Sequence, residues 1–498
     1  MKQRLTRSDI VFRILKGEHI IIYNRHVLRI PDFWLDSHPG GSLALLHFVG
    51  RDTTSEIEAF HSSDILTTVA KYSIGILESP EPWEPLLPPI TSGWEYKNGG
   101  WCHQAQASQI CPTEHDLIPP PSLLSLSAQS QHASEFKKLH QRITDAGLYE
   151  TPYLTGYAPE FSRYCLLATL SFVAYRYQWW MTSAFLLGLF WHQTLFFAHD
   201  LGHMGVTHSW AMDRVIATFI GNFLNGLSIG WWVNNHNIHH LVTNHPSHDP
   251  DIEYLPFFAI SPTFFSNLYS TFYSRILPFD DTSRILVSIQ HKLFYVILAL
   301  ARVNLYRLSY AYLLNAARDR KRKRAGEWAF WLEILGIMGF WYWFGFGVLR
   351  GCLAAASWKT AVGYVLVSHV TTGPLHVQLA LSHFSMSTKD LGPTESFVAR
   401  QLRTTTDVIC PDYLSFLHGG LHLQVTHHLF PRLPRHNLRR ASEMVKEFAK
   451  DRGLTYAEFG FVEGNKEVVG VLRDVAGQVG LVGKVVREES RKAGSRPT

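Results

Sequence analysis

Three clusters in the 498-residue chain hold side chains that can ligate a metal: HDLGH at His199–His203, HNIHH at His236–His240 and QVTHH at Gln424–His428. In the first, His199 and His203 are four residues apart; in the second, His236 stands three and four residues before His239 and His240. On a helix these spacings put the imidazoles on one face, where they can share an ion. The third repeats the spacing of the second, with Gln424 in place of the opening histidine before His427 and His428. Neutral imidazole suits iron, copper, nickel and zinc alike, so ligand type leaves the metal open. Ligand number narrows it: a structural zinc takes about four ligands. The clusters supply seven histidines, and His383 in LSHFSM is a candidate eighth, enough for two ions. His208, His245, His248, His418 and His422 suit outer positions as well as ligation. Asp200 and Asn237, inside the clusters, are placed to orient the imidazoles.

A separate pair lies near the N-terminus. HPGG opens at His38, and His61 follows 23 residues on in FHS. The proline and glycines suit a tight turn that lets the backbone approach something closely. Two neutral imidazoles on facing helices can clamp a haem iron from both sides, which leaves electron transfer as its chemistry. HPGG, GRDTT and FHS in this order resemble cytochrome b5. That resemblance implies haem b, with His38 and His61 as axial ligands; His47 is left as a surface or cleft residue.

The elements that position these groups follow from composition and hydropathy. A chain of this length suggests two or more domains. Aromatic residues make up 13%, with 15 Trp, which suits the interfacial belts of a membrane protein. The net charge of +5 comes without a basic stripe of the kind that binds nucleic acid. Five scattered cysteines without CxxC spacing point to reduced thiols, not a disulfide framework. The charged N-terminus carries no apolar run of signal-peptide length. Residues 1–78 read as a small α+β domain and 79–133 as a Pro-rich linker region. A polar helix is expected over Ser134–Tyr149, opening a body that runs to residue 463; 464–498 read as a charged, disordered tail. Tyr164–Ala198 holds two apolar runs around RYQWW, and Trp328–Leu349 with Trp358–Leu381 forms a second pair around RGCLAAAS. The second run of the first pair approaches the roughly 20 residues a membrane-spanning helix needs and the first, shorter, must borrow flanking residues; with the second pair this gives four spans in two hairpins. The basic run RDRKRKR at Arg318–Arg324 faces the cytosol by the positive-inside rule. The N-terminal domain and all three clusters then share that side. Arg284–Leu314, apolar but interrupted by charge, reads as an interfacial helix.

HxxxH, HxxHH and QxxHH beside two hairpins resemble the membrane fatty acyl desaturase superfamily from about Tyr164 to about Arg440. The resemblance implies an α-helical membrane protein, four transmembrane helices under a cytosolic di-iron cap. It also implies O2 as co-substrate, an NADH-cytochrome b5 reductase as electron donor and the endoplasmic reticulum membrane as location. A fused cytochrome b5 domain with Gln424 opening the third cluster looks like the front-end branch, so the glutamine is a family feature. QVTHHLFPRLPRHNLR and NHPSHDPDIEYLPFF are most similar to the Δ8 sphingolipid desaturases of fungi, which act on the long-chain base of ceramide. Three readings compete: a Δ5/Δ6-type fatty acyl desaturase, a cytochrome b5-fused lipid hydroxylase, and a haem-binding electron carrier or lipid-binding protein without oxygen chemistry.

Overall fold

A computed structural model describes residues 3–104, 111–318 and 326–494, with side chains described as far as residue 481. The N-terminal domain is built on a four-stranded sheet, β1 (Arg4–Leu5), β2 (His19–Tyr23), β3 (His26–Ile30) and β4 (Ser73–Leu77), in the order β1-β4-β3-β2. Side chains alternate across a strand, and here both faces are covered. Ile20, Ile22 and Val27 pack with Ile10 and Ile14 on one side; Ile21, Tyr23 and Leu28 pack with Phe48 and Ile57 on the other. This explains the unbroken apolar run HIIIY. The β2–β3 hairpin turns through Asn24 and Arg25, both left-handed at φ 47° and 65°. The Arg25 guanidinium holds that turn by donating to the carbonyls of Leu77, Ser79 and Pro80.

The Pro-rich stretch is packed down. Trp83 Nε1 donates to the Gly50 carbonyl at 2.9 Å, and Leu86 and Leu117 join the sheet's core. EYKNGGWCHQ, without a reading from sequence, forms a hairpin of strands Trp94–Lys97 and Gly100–His103. Its turn residues Asn98 and Gly99 are left-handed, as an Asn-Gly turn requires. The expected polar helix runs over Leu126–Asp145.

The body is helical. Ala158–Arg176 and Trp180–Gly202 form the first hairpin, turning at the expected RYQWW. Among the described residues two helices are long and apolar enough to cross a membrane, Trp180–Gly202 and Glu327–Ala355. The other two expected spans fall short. Ala158–Arg176 carries Glu160 and Arg163 near its start and Arg176 at its end, and the last is divided into Trp358–Val370 and Gly373–Phe384, with Pro374 starting the second piece. Apolar side chains nonetheless face outward along these elements, among them Phe172, Leu335, Met338, Phe346 and Leu366. Contiguous exposed apolar surface of this kind marks a membrane or a partner. Arg284–Leu314 is three successive helices, Asp281–Ser288, Gln290–Ala299 and Ala301–Arg318, which also expose Ile285, Val296 and Leu314. The basic run beyond Arg318 lies outside the described residues.

The C-terminal expectation needs correction. Residues from Phe461 to Gly494 form one helix, where a disordered tail was expected from 464. Val468, Leu472, Val475 and Val479 are spaced at three and four residues and pack with Phe258, Phe294 and Phe384. Charge and glycine on its outer face masked that stripe. Residues 495–498 lie outside the described part.

Candidate metal centre

Each cluster sits where a helix ends or starts inside the body. His199 lies in the last turn of Trp180–Gly202 and His203 caps it. Helix Ile229–Leu241 carries His236, His239 and His240; its start is fixed by Ser228, whose Oγ accepts from the Trp231 N–H at 3.0 Å. His427 and His428 ride on the short helix Gln424–Leu429, and His383 ends Gly373–Phe384. All eight histidines and Gln424 are buried. They form two groups. His199, His203, His236 and His427 bring their ligand nitrogens within 4.8 Å of one another, and so do His239, His383 and His428. His240 belongs to neither; it stands between them, its ring 4.0 Å from His428 and 4.7 Å from His427.

The unpaired atoms test whether metal fits. Nε2 of His199, His203, His383, His427 and His428, with Oε1 of Gln424, is buried without a hydrogen-bond partner. Burying one polar group unpaired costs roughly 1–3 kcal/mol. The five ring nitrogens, gathered in the two groups, are accounted for by ions that take their lone pairs. The opposite ring nitrogens are engaged. His239 Nδ1 lies 2.9 Å from Asp249, His236 Nδ1 3.7 Å from Asp251, and His428 Nδ1 3.0 Å from Gln401 Oε1. His383 Nδ1 faces the Thr404 carbonyl at 3.4 Å, and His199 Nδ1 faces Asp200 at 3.4 Å. A donor bond from Nδ1 fixes the tautomer that turns the Nε2 lone pair inward. Asp249 is itself held by the N–H groups of Asn244 and Asp251. Gln401 also donates to the His240 carbonyl at 2.6 Å, which ties the second and third clusters together.

Burial pushes His240, His427 and His428 well below the ordinary imidazole range, so they are neutral and ready to ligate. His239 differs: burial lowers it, but Asp249 and Asp251 outweigh burial and raise it. Metal at His239 therefore competes with a proton.

The N-terminal pair also fits its group. His38 and His61 each cap a short helix, Asp32–Ser37 and Thr54–Phe60, and their ring centroids are 6.0 Å apart. That is the span left when each ring nitrogen stands about 2 Å from one metal between them. His61 Nδ1 donates to the Ile57 carbonyl at 3.0 Å, leaving Nε2 as the ligand atom. Gly41, at φ 89°, makes the turn that HPGG suggested.

Of the remaining residues, His208, His245, His248 and His418 take outer positions, one of the two roles left open for them. His47 is 1% exposed and its Nε2 meets Thr271 Oγ1 at 3.1 Å, so it is an interdomain residue and not a surface one. His245 stacks on His248 and pairs with Asp390. His418 pairs with Gln378, and His208 with Thr151. Asp200 orients His199 as expected, and it also accepts from Tyr157 at 2.6 Å and pairs with Arg435. Asn237 turns instead toward Gly40 of the N-terminal domain. Asp249, Asp251 and Gln401 were not expected at all. The acidic pair sits in HDPD, a few residues past the second cluster, and that spacing was the available signal.

A cavity of about 1600 Å³ reaches the cage at His199, His236, His239, His383 and Gln424. Leu195, Phe196, Leu375 and Leu379 give it apolar wall, and Glu253, Arg275, Asn304 and Arg307 are among its polar lining. Such a space admits a long chain with a polar end.

A family model described as fatty acid desaturase matches residues 177–460, and a cytochrome b5-like heme/steroid binding domain matches residues 6–78. The chain is 42% identical to a Delta 8-(E)-sphingolipid desaturase of Emericella nidulans, covering 98% of this chain and 96% of that one. It is 41% identical to a protein of the same name from Komagataella phaffii, over 95% and 94% of the two chains. A Delta(8)-fatty-acid desaturase of Helianthus annuus is 33% identical over 89% of this chain and 85% of its own length.

Proposed function

The chain belongs to the fatty acid desaturase family and carries a cytochrome b5-like domain at its N-terminus; from this premise we propose that it introduces the Δ8 double bond into the long-chain base of ceramides or related sphingolipids. It is an oxidoreductase whose cofactors are haem and two non-haem irons, with O2 as co-substrate. The observation that carries the substrate reading is a cavity lined by apolar and polar residues that reaches both histidine groups, in a chain about 40% identical to sphingolipid desaturases over nearly its whole length.

In this reading His199, His203, His236 and His427 hold one iron, and His239, His383 and His428 the other; His240 serves the wall between them. Gln424 offers its amide oxygen, a weaker and harder donor than imidazole, where one iron is left more open. His38 and His61 hold the haem. The bound irons supply the O2 chemistry that removes two hydrogens from adjacent methylenes, leaving a double bond and two waters. The protein's own part is positional. Asp249, Asp251 and Gln401 fix the rings, and the apolar wall aligns the chain and excludes water. Four membrane helices, with the cage and N-terminal domain on the cytosolic side of the endoplasmic reticulum, are part of this reading; two helices long and apolar enough to cross and the outward apolar faces beside them support a membrane location. An NADH-cytochrome b5 reductase is the proposed donor.

The test is lipid profiling of a yeast that makes ceramides but lacks Δ8 desaturation. Expression of this chain is expected to place a new double bond at carbon eight of the long-chain base. The plant relative named for fatty acids supports a second reading, an acyl desaturase. A new bond in acyl chains, with the bases unchanged, would establish that reading and remove the first.

A further inference from the structure

The N-terminal domain is seated on the body, and the loops bearing its two histidines make the contact. An atom placed as a Cβ on Gly40 would lie 3.1 Å from the His38 ring and 3.2 Å from Asn237 Nδ2. Glycine is what lets these surfaces meet. Asn237 is flanked by His236 and Ile238 on the second-cluster helix. On the other side Phe60, which precedes His61, sets its ring edge-on to His240 with centroids 6.0 Å apart. His38 is thus two residues, and His61 one residue, from a contact with the helix that feeds both metal groups. The seating is built in on three sides. Leu241 enters the apolar cluster of Tyr23, Leu28, Phe48 and Ile57, while Ala59 enters that of Phe136 and Phe430. Lys137 donates to Asn24 at 2.6 Å and pairs with Glu58 at 3.2 Å. His47 meets Thr271 across the far rim.

We propose that these contacts form the electron junction of the enzyme, with Gly40 against Asn237 and Phe60 against His240 as its two bridges. Asn237 and Phe60 are then positioning residues: they hold the haem pair on the cage without touching substrate. The proposal rests on the cofactor reading above. Each turnover would need two electrons to cross the junction from the N-terminal domain, which a haem held by His38 and His61 would supply singly. O2 accepts these two and the two lost by the substrate's adjacent methylenes. With the two hydrogens removed as protons and two more from solvent, it leaves as two waters.

The experiment uses the full chain in detergent, loaded with haem and iron. The haem is reduced without air and mixed with O2 and ceramide, and its reoxidation is followed by stopped-flow absorbance. His239→Ala gives the background rate of haem with O2 alone. Asn237→Leu and Phe60→Ala are expected to slow reoxidation about tenfold, within the sensitivity of such steps to an ångström of misplacement. Haem spectrum, reduction potential and iron content are expected to match wild type. Lys137→Glu is also expected to slow it, and adding Glu58→Lys to restore it; this pair lies away from the ligands and keeps the test open should Asn237→Leu lose iron. Wild-type reoxidation in Phe60→Ala and Lys137→Glu, with haem and iron in place, overturns the junction. A wild type that binds no iron, or reoxidises no faster than His239→Ala, instead overturns the cofactor reading, and the junction falls with it.

Discussion

At Asp249 the two carboxylate oxygens do three things: they take the His239 Nδ1 proton and the N–H groups of Asn244 and Asp251. Asp249→Asn keeps the shape and loses the charge. It is expected to weaken iron binding about 10–100-fold, the usual effect of losing a partner that orients a ligand. The check is iron content after dialysis against a chelator, with the haem spectrum as internal control. Gln424→Ala removes the one non-histidine donor among the unpaired inward atoms. Desaturation is expected to be lost; full activity in that variant would remove the amide from the centre. At this scale the histidines were legible because spacings of three and four on a helix leave little freedom. The carboxylates and Gln401 were not, because they reach the cage from loops and from helix Phe397–Thr404, where no periodicity announces a partner.

Two elements deserve their own predictions. Helix Gln424–Leu429 is only six residues long and is anchored by Asp407, whose Oδ1 accepts from the Val425 N–H at 2.8 Å and which also pairs with Tyr456. Burial pushes the Asp407 carboxyl up to about 7 from an ordinary 3.8. Its favourable contribution is therefore full below the unfolded value and lost as pH rises through the folded one. Asp407→Asn keeps the acceptor and cannot ionise. Wild-type melting temperature is expected to fall relative to Asp407→Asn between pH 4 and pH 7; parallel curves would contradict the assignment. The C-terminal helix is the second case. Leu472 is fully buried in it, so Leu472→Ala is expected to cost about 2–5 kcal/mol in a thermal or denaturant melt. A change near zero would mean the helix is not packed. The apolar hairpins could be read from hydropathy. This helix could not, because its stripe of valine and leucine is interrupted by charged residues and glycine and only shows against the wall it covers.

Across the whole molecule, the order of the parts was readable and their mutual seating was not. Residues 79–133 read as a Pro-rich linker region, yet Trp83, Leu86 and Leu117 fasten it to the N-terminal domain, which rests on the second-cluster helix. Such contacts join residues more than a hundred positions apart, as Lys137 to Asn24 and His47 to Thr271 do, and local sequence carries no signal for them. The account's central claim is that seven histidines and Gln424 hold a pair of irons apart from the haem, with His240 between the two groups. The most direct measurement is the non-haem iron and haem content of the purified chain beside His239→Ala and His427→Ala, one from each group. The account predicts two irons and one haem for wild type, and the full haem with iron lost in each variant. Unchanged iron in both variants, or a single zinc in the wild type, would contradict it.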